Sequence, residues 1–196
     1  MLDSTLVEAE LTPAMSAAEQ RLLRHAAAGA SAAVEFGCGG STLLLLEAVS
    51  GPLISVETDP DWLARLRETP SCAAAGEAGR WVGLHADLGP VGNWGWPNDR
   101  TRFADGPRYW NAPWHLCPEP NFVLVDGRFR VAAALAALRR MAPGGIVAVH
   151  DFWPRTNYHA LLQIAELVGT AASLVLLARR PDQELPGPGD FATDPR

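Results

Sequence analysis

The chain contains no lysine. All 16 of its basic residues are arginine, set against 22 acidic ones for a net charge of −6. No cluster of cations runs along it, so nothing is there to neutralise a nucleic-acid backbone. Without lysine there is also no GxxxxGK[ST] phosphate loop. Cysteine is scarce: Cys38, Cys72 and Cys117 are widely spaced and form no CxxC pair. That excludes a disulfide framework and a zinc-ligand pattern. No apolar run approaches the roughly 18 residues of a membrane helix. The N-terminal stretch is acidic, has no basic residue before Arg21, and lacks the apolar core of a signal peptide. Together these absences predict a cytoplasmic protein with neither nucleic acid nor membrane as partner.

What is present is ordinary globular material. Of 196 residues, 48% are hydrophobic and 19% charged, enough to bury a core without disulfides or a metal. The length predicts a single domain over 1–180, with a Trp-rich insert at 89–120 and a Pro/Gly-rich C-terminal tail at 181–196. The tail reads as a loose end.

Short apolar runs alternate with amphipathic stretches. Ser16, with Glu19 three residues on, reads as a capping box opening a helix to Ala28. Strands are predicted at Ala32–Phe36, Leu53–Glu57, Trp81–His85, Phe122–Val125, Ile146–His150 and Ser173–Leu177. Helices are predicted at Thr42–Val49, Asp61–Glu68, Val131–Met141 and Asn157–Val168. Continuous Val/Ile/Leu strands alternating with helices mean an α/β fold, a mostly parallel sheet covered on both faces. The insert from Gly89 to Pro120 has no helical period and carries Trp94, Trp96, Trp110 and Trp114.

The strongest motif is Val34-Glu35-Phe36-Gly37-Cys38-Gly39-Gly40-Ser41-Thr42, between the first strand and the next helix. Glycines there permit positive φ and close backbone approach to a ligand. Glu57 ends the second strand twenty residues after Gly37, where an acid in a doubly wound fold meets ribose hydroxyls. A dinucleotide fingerprint wants a third small residue where Thr42 stands, so a nicotinamide oxidoreductase is disfavoured.

The segment resembles motif I of class I S-adenosylmethionine-dependent methyltransferases, an acid followed by GxGxx, and element order is similar from about Ser16 to Leu177. The resemblance implies a Rossmann-like doubly wound sheet of six or seven strands and S-adenosylmethionine as cofactor. It implies that Gly37, Gly39 and Gly40 contact the methionine part, that Glu57 holds the ribose and that Asp87 meets the adenine amino group. Glu35 matches the acid opening the motif. Val123-Leu124-Val125-Asp126 and Pro143-Gly144-Gly145 running on to His150-Asp151 resemble the fourth and fifth strands of small-molecule methyltransferases.

Those strand ends would bring Asp126, His150 and Asp151 to one cleft as catalytic candidates, with His150 or Asp126 as general base for an acceptor hydroxyl. Catechol-type members place an Asp-Asn pair after the fifth strand to hold a metal. Here His150-Asp151-Phe152 has no Asn, so a divalent metal is not favoured. The four tryptophans of the insert are candidate substrate-binding residues, stacking on a flat acceptor, or else pins for a long loop. Arg128 and Arg130 could clamp a substrate carboxylate or phosphate; the blander reading of both is the solvated start of a helix. The function expected is methyl transfer to a small-molecule acceptor, at oxygen. The alternative is a non-catalytic binding or regulatory module on the same scaffold, and a homodimer stays open.

Overall fold

The structure, a computed structural model, describes residues 11–191. Seven strands form one sheet: β1 (Ala33–Phe36), β2 (Leu53–Glu57), β3 (Trp81–His85), β4 (Phe122–Val125), β5 (Ile146–Val149), β6 (Ala165–Ala171) and β7 (Leu174–Arg179). Their order is β3-β2-β1-β4-β5-β7-β6. The first five are parallel, and β7 runs antiparallel to both β5 and β6. β1 lies between β2 and β4, with Val34 opposite Ile54 on one side and Val123 on the other. This is the topological switch point, where open α/β sheets bind ligands at the carboxyl ends of the strands.

Each face is covered because parallel strands of apolar residues must be buried on both sides. On one face Ala33, Leu53, Leu124 and Leu176 pack against α1 (Ala17–Ala27), α2 (Gly40–Ala48), α3 (Pro60–Arg67) and α4 (Pro70–Glu77). The capping box of α1 is present as predicted: Glu19 N–H donates to Ser16 Oγ, and Ser16 N–H donates back to Glu19 Oε2 at 2.7 Å. On the other face Phe36, Val56, Val125 and Val149 pack against α5 (Gly106–Asn111) and α6 (Arg130–Arg140). Every residue of α6 from Arg130 to Leu138 is buried, so this helix fills the core rather than riding on it.

Three expectations need correction. The stretch predicted as one helix, Asn157–Val168, is a 3-10 turn (Thr156–Ala160) and one α-turn, α7 (Leu161–Ile164), before the chain becomes β6. Pairing with β7 across a tight turn overrides the local helical pattern, since β propensity depends on such context. The insert is not featureless. It holds 3-10 turns at Arg100–Asp105 and Ala112–His115 on either side of α5, and serves as the crossover that two parallel strands require. The tail is tethered as far as it is described: Leu185 is buried, and Arg139 Nη1 donates to its carbonyl at 2.7 Å. Among the described residues no helix is long and apolar enough to cross a membrane.

Candidate functional site

The glycine turn leaves β1 at Gly37, whose φ is +84°. A Cβ at Gly37 would lie 2.5 Å from Gly127 Cα, so the turns after β1 and β4 touch backbone to backbone. Only glycine meets both conditions. The turn is anchored from below. Thr42 Oγ1 accepts from Gly39 N–H at 3.0 Å and donates to Glu35 Oε2 at 2.7 Å. Thr42, which breaks the dinucleotide pattern, therefore pins this loop.

Glu35 is fully buried on the α2 face, where Ser41, Thr42 and Ser55 donate hydroxyls to it. It braces the turn from beneath instead of standing at the ligand edge. Burial pushes its pKa up from 4.5 to about 7 against those three hydrogen bonds. Folding thus favours its neutral form. The stabilisation is complete below the unfolded value and is lost as pH climbs towards 7, about 3 kcal/mol in all. Glu35→Gln is expected to flatten that decline. Urea midpoints measured between about pH 5 and 8 check it, and parallel pH profiles for variant and wild type would refute it.

Glu57 ends β2 with its carboxylate turned inward. Cys38 N–H donates to Oε2 at 3.1 Å, and the N–H groups of Thr58 and Asp59 donate to Oε1 at 2.7 and 3.0 Å. Cys38 is held on its other side by Trp62, whose indole N–H donates to the Cys38 carbonyl at 2.6 Å. Over Glu57 lies a turn closed by a bridge between Val91 and Pro97. Thr58 Oγ1 donates to the Gly95 carbonyl at 2.9 Å, and a Cβ at Gly95 would stand 3.1 Å from Glu57 Oε1. Asp87 is exposed and accepts from Gly89 N–H at 2.8 Å. There it caps its own turn and lies 4.0 Å from the Arg102 guanidinium.

At the ends of β4 and β5 the predicted residues do meet. His150 Nδ1 is 3.0 Å from Asp126 Oδ1 and 3.9 Å from Asp151 Oδ1, and its Nε2 is 3.4 Å from Glu19 Oε1. Burial opposes charge on this imidazole, but the hydrogen bond and charge of Asp126, with Asp151, outweigh it and hold its pKa above the usual value. Glu19 sits at about 2: burial works against its charge, and hydrogen bonds from Ser16 and Ser173 prevail. A carboxylate at each nitrogen favours the charged form of this imidazole and ties it to its neighbours. Burial likewise opposes the charge of Asp151, and Arg130, His150 and Arg155 overcome it and lower its pKa.

Arg130 completes the cluster. Its Nη1 lies 3.1 Å from Asp126 Oδ1, 3.3 Å from Asp151 Oδ2 and 2.7 Å from the His150 carbonyl oxygen. Asp126, His150 and Asp151 could offer ligand atoms within 4.8 Å of one another to a metal. The guanidinium already stands against both carboxylates, however, with its side chain only 4% exposed. Sequence reasoning weighed Arg130 only as a substrate clamp or a solvated helix start, and it passed over Glu19. The first stands four residues after Asp126 at a helix start and looked solvated. The second was explained by its capping box, although its other oxygen reaches Ser173 and His150.

The tryptophans divide. Trp110 and Trp114 are 2% and 5% exposed and pack on Phe129 and Phe36 at 5.5 and 5.7 Å between ring centroids. They are core residues of the crossover. Trp94 is 82% exposed. Trp96 lies 5.7 Å from the guanidinium of Arg128, so the 91–97 turn reaches from the end of β2 to the loop after β4.

No family model and no curated protein matches the sequence. Solved structures do match. A methyltransferase-like protein from Silicibacter pomeroyi superposes with a TM-score of 0.80 at 28% identity, over 93% of this chain and 97% of that one. An O-methyltransferase from Bacillus cereus, in complex with SAH, gives 0.60 at 16% identity over 89% and 88%. A methyltransferase from Geobacter sulfurreducens gives 0.58 at 13% over 89% and 84%. The chain has the fold of class I S-adenosylmethionine-dependent methyltransferases.

Proposed function

With that fold as premise, we propose that the chain transfers a methyl group from S-adenosylmethionine to an oxygen of a small-molecule acceptor. One observation carries the reading. A glycine turn, a ribose-type carboxylate and a pair of carboxylates converge at adjacent strand ends around the switch point.

The donor set suits such a cofactor. Glu57 accepts three backbone N–H bonds, with the Thr58 hydroxyl at 3.2 Å and the Cys38 thiol at 3.7 Å; a ribose hydroxyl would take the place of these two weaker partners. The Gly37–Gly127 contact keeps the floor of the groove free of side chains. Gly95 lies on Glu57, so the 91–97 turn must shift off Thr58 for a ribose to reach the carboxylate. When bound, the cofactor supplies an electrophilic methyl on a sulfonium.

The chain's part is to hold the acceptor oxygen in line with that methyl and to take its proton. Asp126 and Asp151, 21% and 38% exposed, are the groups placed to accept a proton. His150 and Arg130 orient them from beneath. Trp94 and Trp96 are the tryptophans left to form a substrate wall. Calorimetry with S-adenosylhomocysteine against NAD tests this reading. The methylation product should bind and NAD should not. Glu57→Gln should weaken binding by about 1–3 kcal/mol. Unchanged affinity in that variant removes Glu57 from the site, and preference for NAD overturns the reading. The closed 91–97 turn favours a second reading, a binding module that no longer admits cofactor. Absence of binding by either ligand would favour it over both cofactor-dependent readings.

A further inference from the structure

Arg128 is a buried cation without an anion. It is 9% exposed, and its Nε is buried with no hydrogen-bond partner. Among the described residues its guanidinium makes no ion pair. Its neighbours add positive charge: burial lowers its pKa, and Arg130 lowers it further. An unpaired charge in such a position costs several kcal/mol, which a structural arginine would avoid by pairing with a carboxylate. Asp126 and Asp151 are nearby but belong to Arg130, His150 and Arg155.

Trp96 covers the face of the guanidinium. A guanidinium stacked on its face still offers its edge, and that edge fits a carboxylate or a phosphate through paired N–H bonds. Between Arg128 and Arg130, Phe129 is held at a φ of +48°. A bulky residue there stores backbone strain, the kind that persists at ligand sites.

We propose that Arg128 binds an anionic group of the methyl acceptor, a carboxylate or a phosphate. The inference rests on the methyltransferase reading for the word acceptor, but the anion site itself does not. Trp96 provides a flat surface next to that site, so the acceptor class is a small aromatic hydroxy-acid or its phosphate counterpart.

The test is calorimetric titration of the wild-type chain, with and without S-adenosylhomocysteine, using three probes: 4-hydroxybenzoate, 4-hydroxyphenyl phosphate and neutral 4-hydroxybenzamide. At least one anion is expected to bind about tenfold or more tightly than the amide, and whichever anion is tighter identifies the source. Arg128→Gln should abolish the preference, and Arg128→Lys should keep part of it. Equal binding of amide and anions, no binding by any probe, or a preference that survives Arg128→Gln overturns the proposal. If Arg128→Gln does not fold, the wild-type comparison decides by itself. Failure of S-adenosylhomocysteine to bind counts against the methyltransferase reading alone, because the anion preference is also measured without it.

Discussion

Trp114→Ala is expected to destabilise the chain by about 3–5 kcal/mol, the usual cost of emptying a large buried aromatic site. The ring is 5% exposed and stands edge-on to Phe36, on the face of β1 opposite the first four helices. Alanine there would leave a cavity beneath the strand that carries the glycine turn. For a chain of this size the melting temperature should fall by roughly 2–4 °C per kcal/mol. Trp94→Ala, at an exposed turn, should stay within about 0.5 kcal/mol. Trp114→Phe should cost less than the alanine variant, because the indole N–H of Trp114 is buried without a partner and phenylalanine removes that unpaired donor. Urea denaturation of the three variants measures this. Should Trp114→Ala keep its stability and instead lose acceptor binding, Trp114 would belong to the substrate wall and the division of the tryptophans would be wrong.

Arg130→Ala should cost about 3 kcal/mol or more, because it removes the buried guanidinium that bridges Asp126 and Asp151 and leaves only His150 against both. The three candidate ligand atoms of Asp126, His150 and Asp151 would then be open to a divalent ion. Mg²⁺ or Mn²⁺ should therefore raise the variant's melting temperature by mass action and leave the wild type unmoved. Stabilisation of the wild type by either ion would show that a metal competes successfully with the guanidinium. The variant's failure to respond would show that the carboxylates cannot converge without Arg130.

The centre of the molecule was the part most open to sequence reasoning. The four- and five-residue strands β1, β2, β4 and β5 are buried along almost their whole length. Such strands announce themselves as unbroken apolar runs, and Gly or Asp at their ends marks the carboxyl edge. The adjacency of β1 and β4 followed from doubly wound topology. What escaped was set by tertiary context. Leu161 to Val168 carries a helix-like pattern, and only the partner strand β7 makes its second half extended. The crossover between β3 and β4 uses 3-10 turns, whose threefold repeat leaves no 3.6-residue signature. The charged cluster was half visible. Acids at strand ends stand out in a sequence, whereas Arg130 and Glu19 look like surface residues until packing brings them beneath those ends.

The contact between Gly37 and Gly127 also bears on how the protein matures. No local segment contains both halves of the ligand groove. The first half comes with β1 and the second with β4, and a long stretch of chain must be closed before these strands pair. Such distant parallel pairings are slow to form and late to be rewarded, whereas the β6–β7 hairpin needs only its own turn. A partly folded chain can therefore own its hairpin and much of its helix and still have no groove. A ligand spanning both turns binds only the finished fold, and raises its stability by RT ln(1 + [L]/Kd).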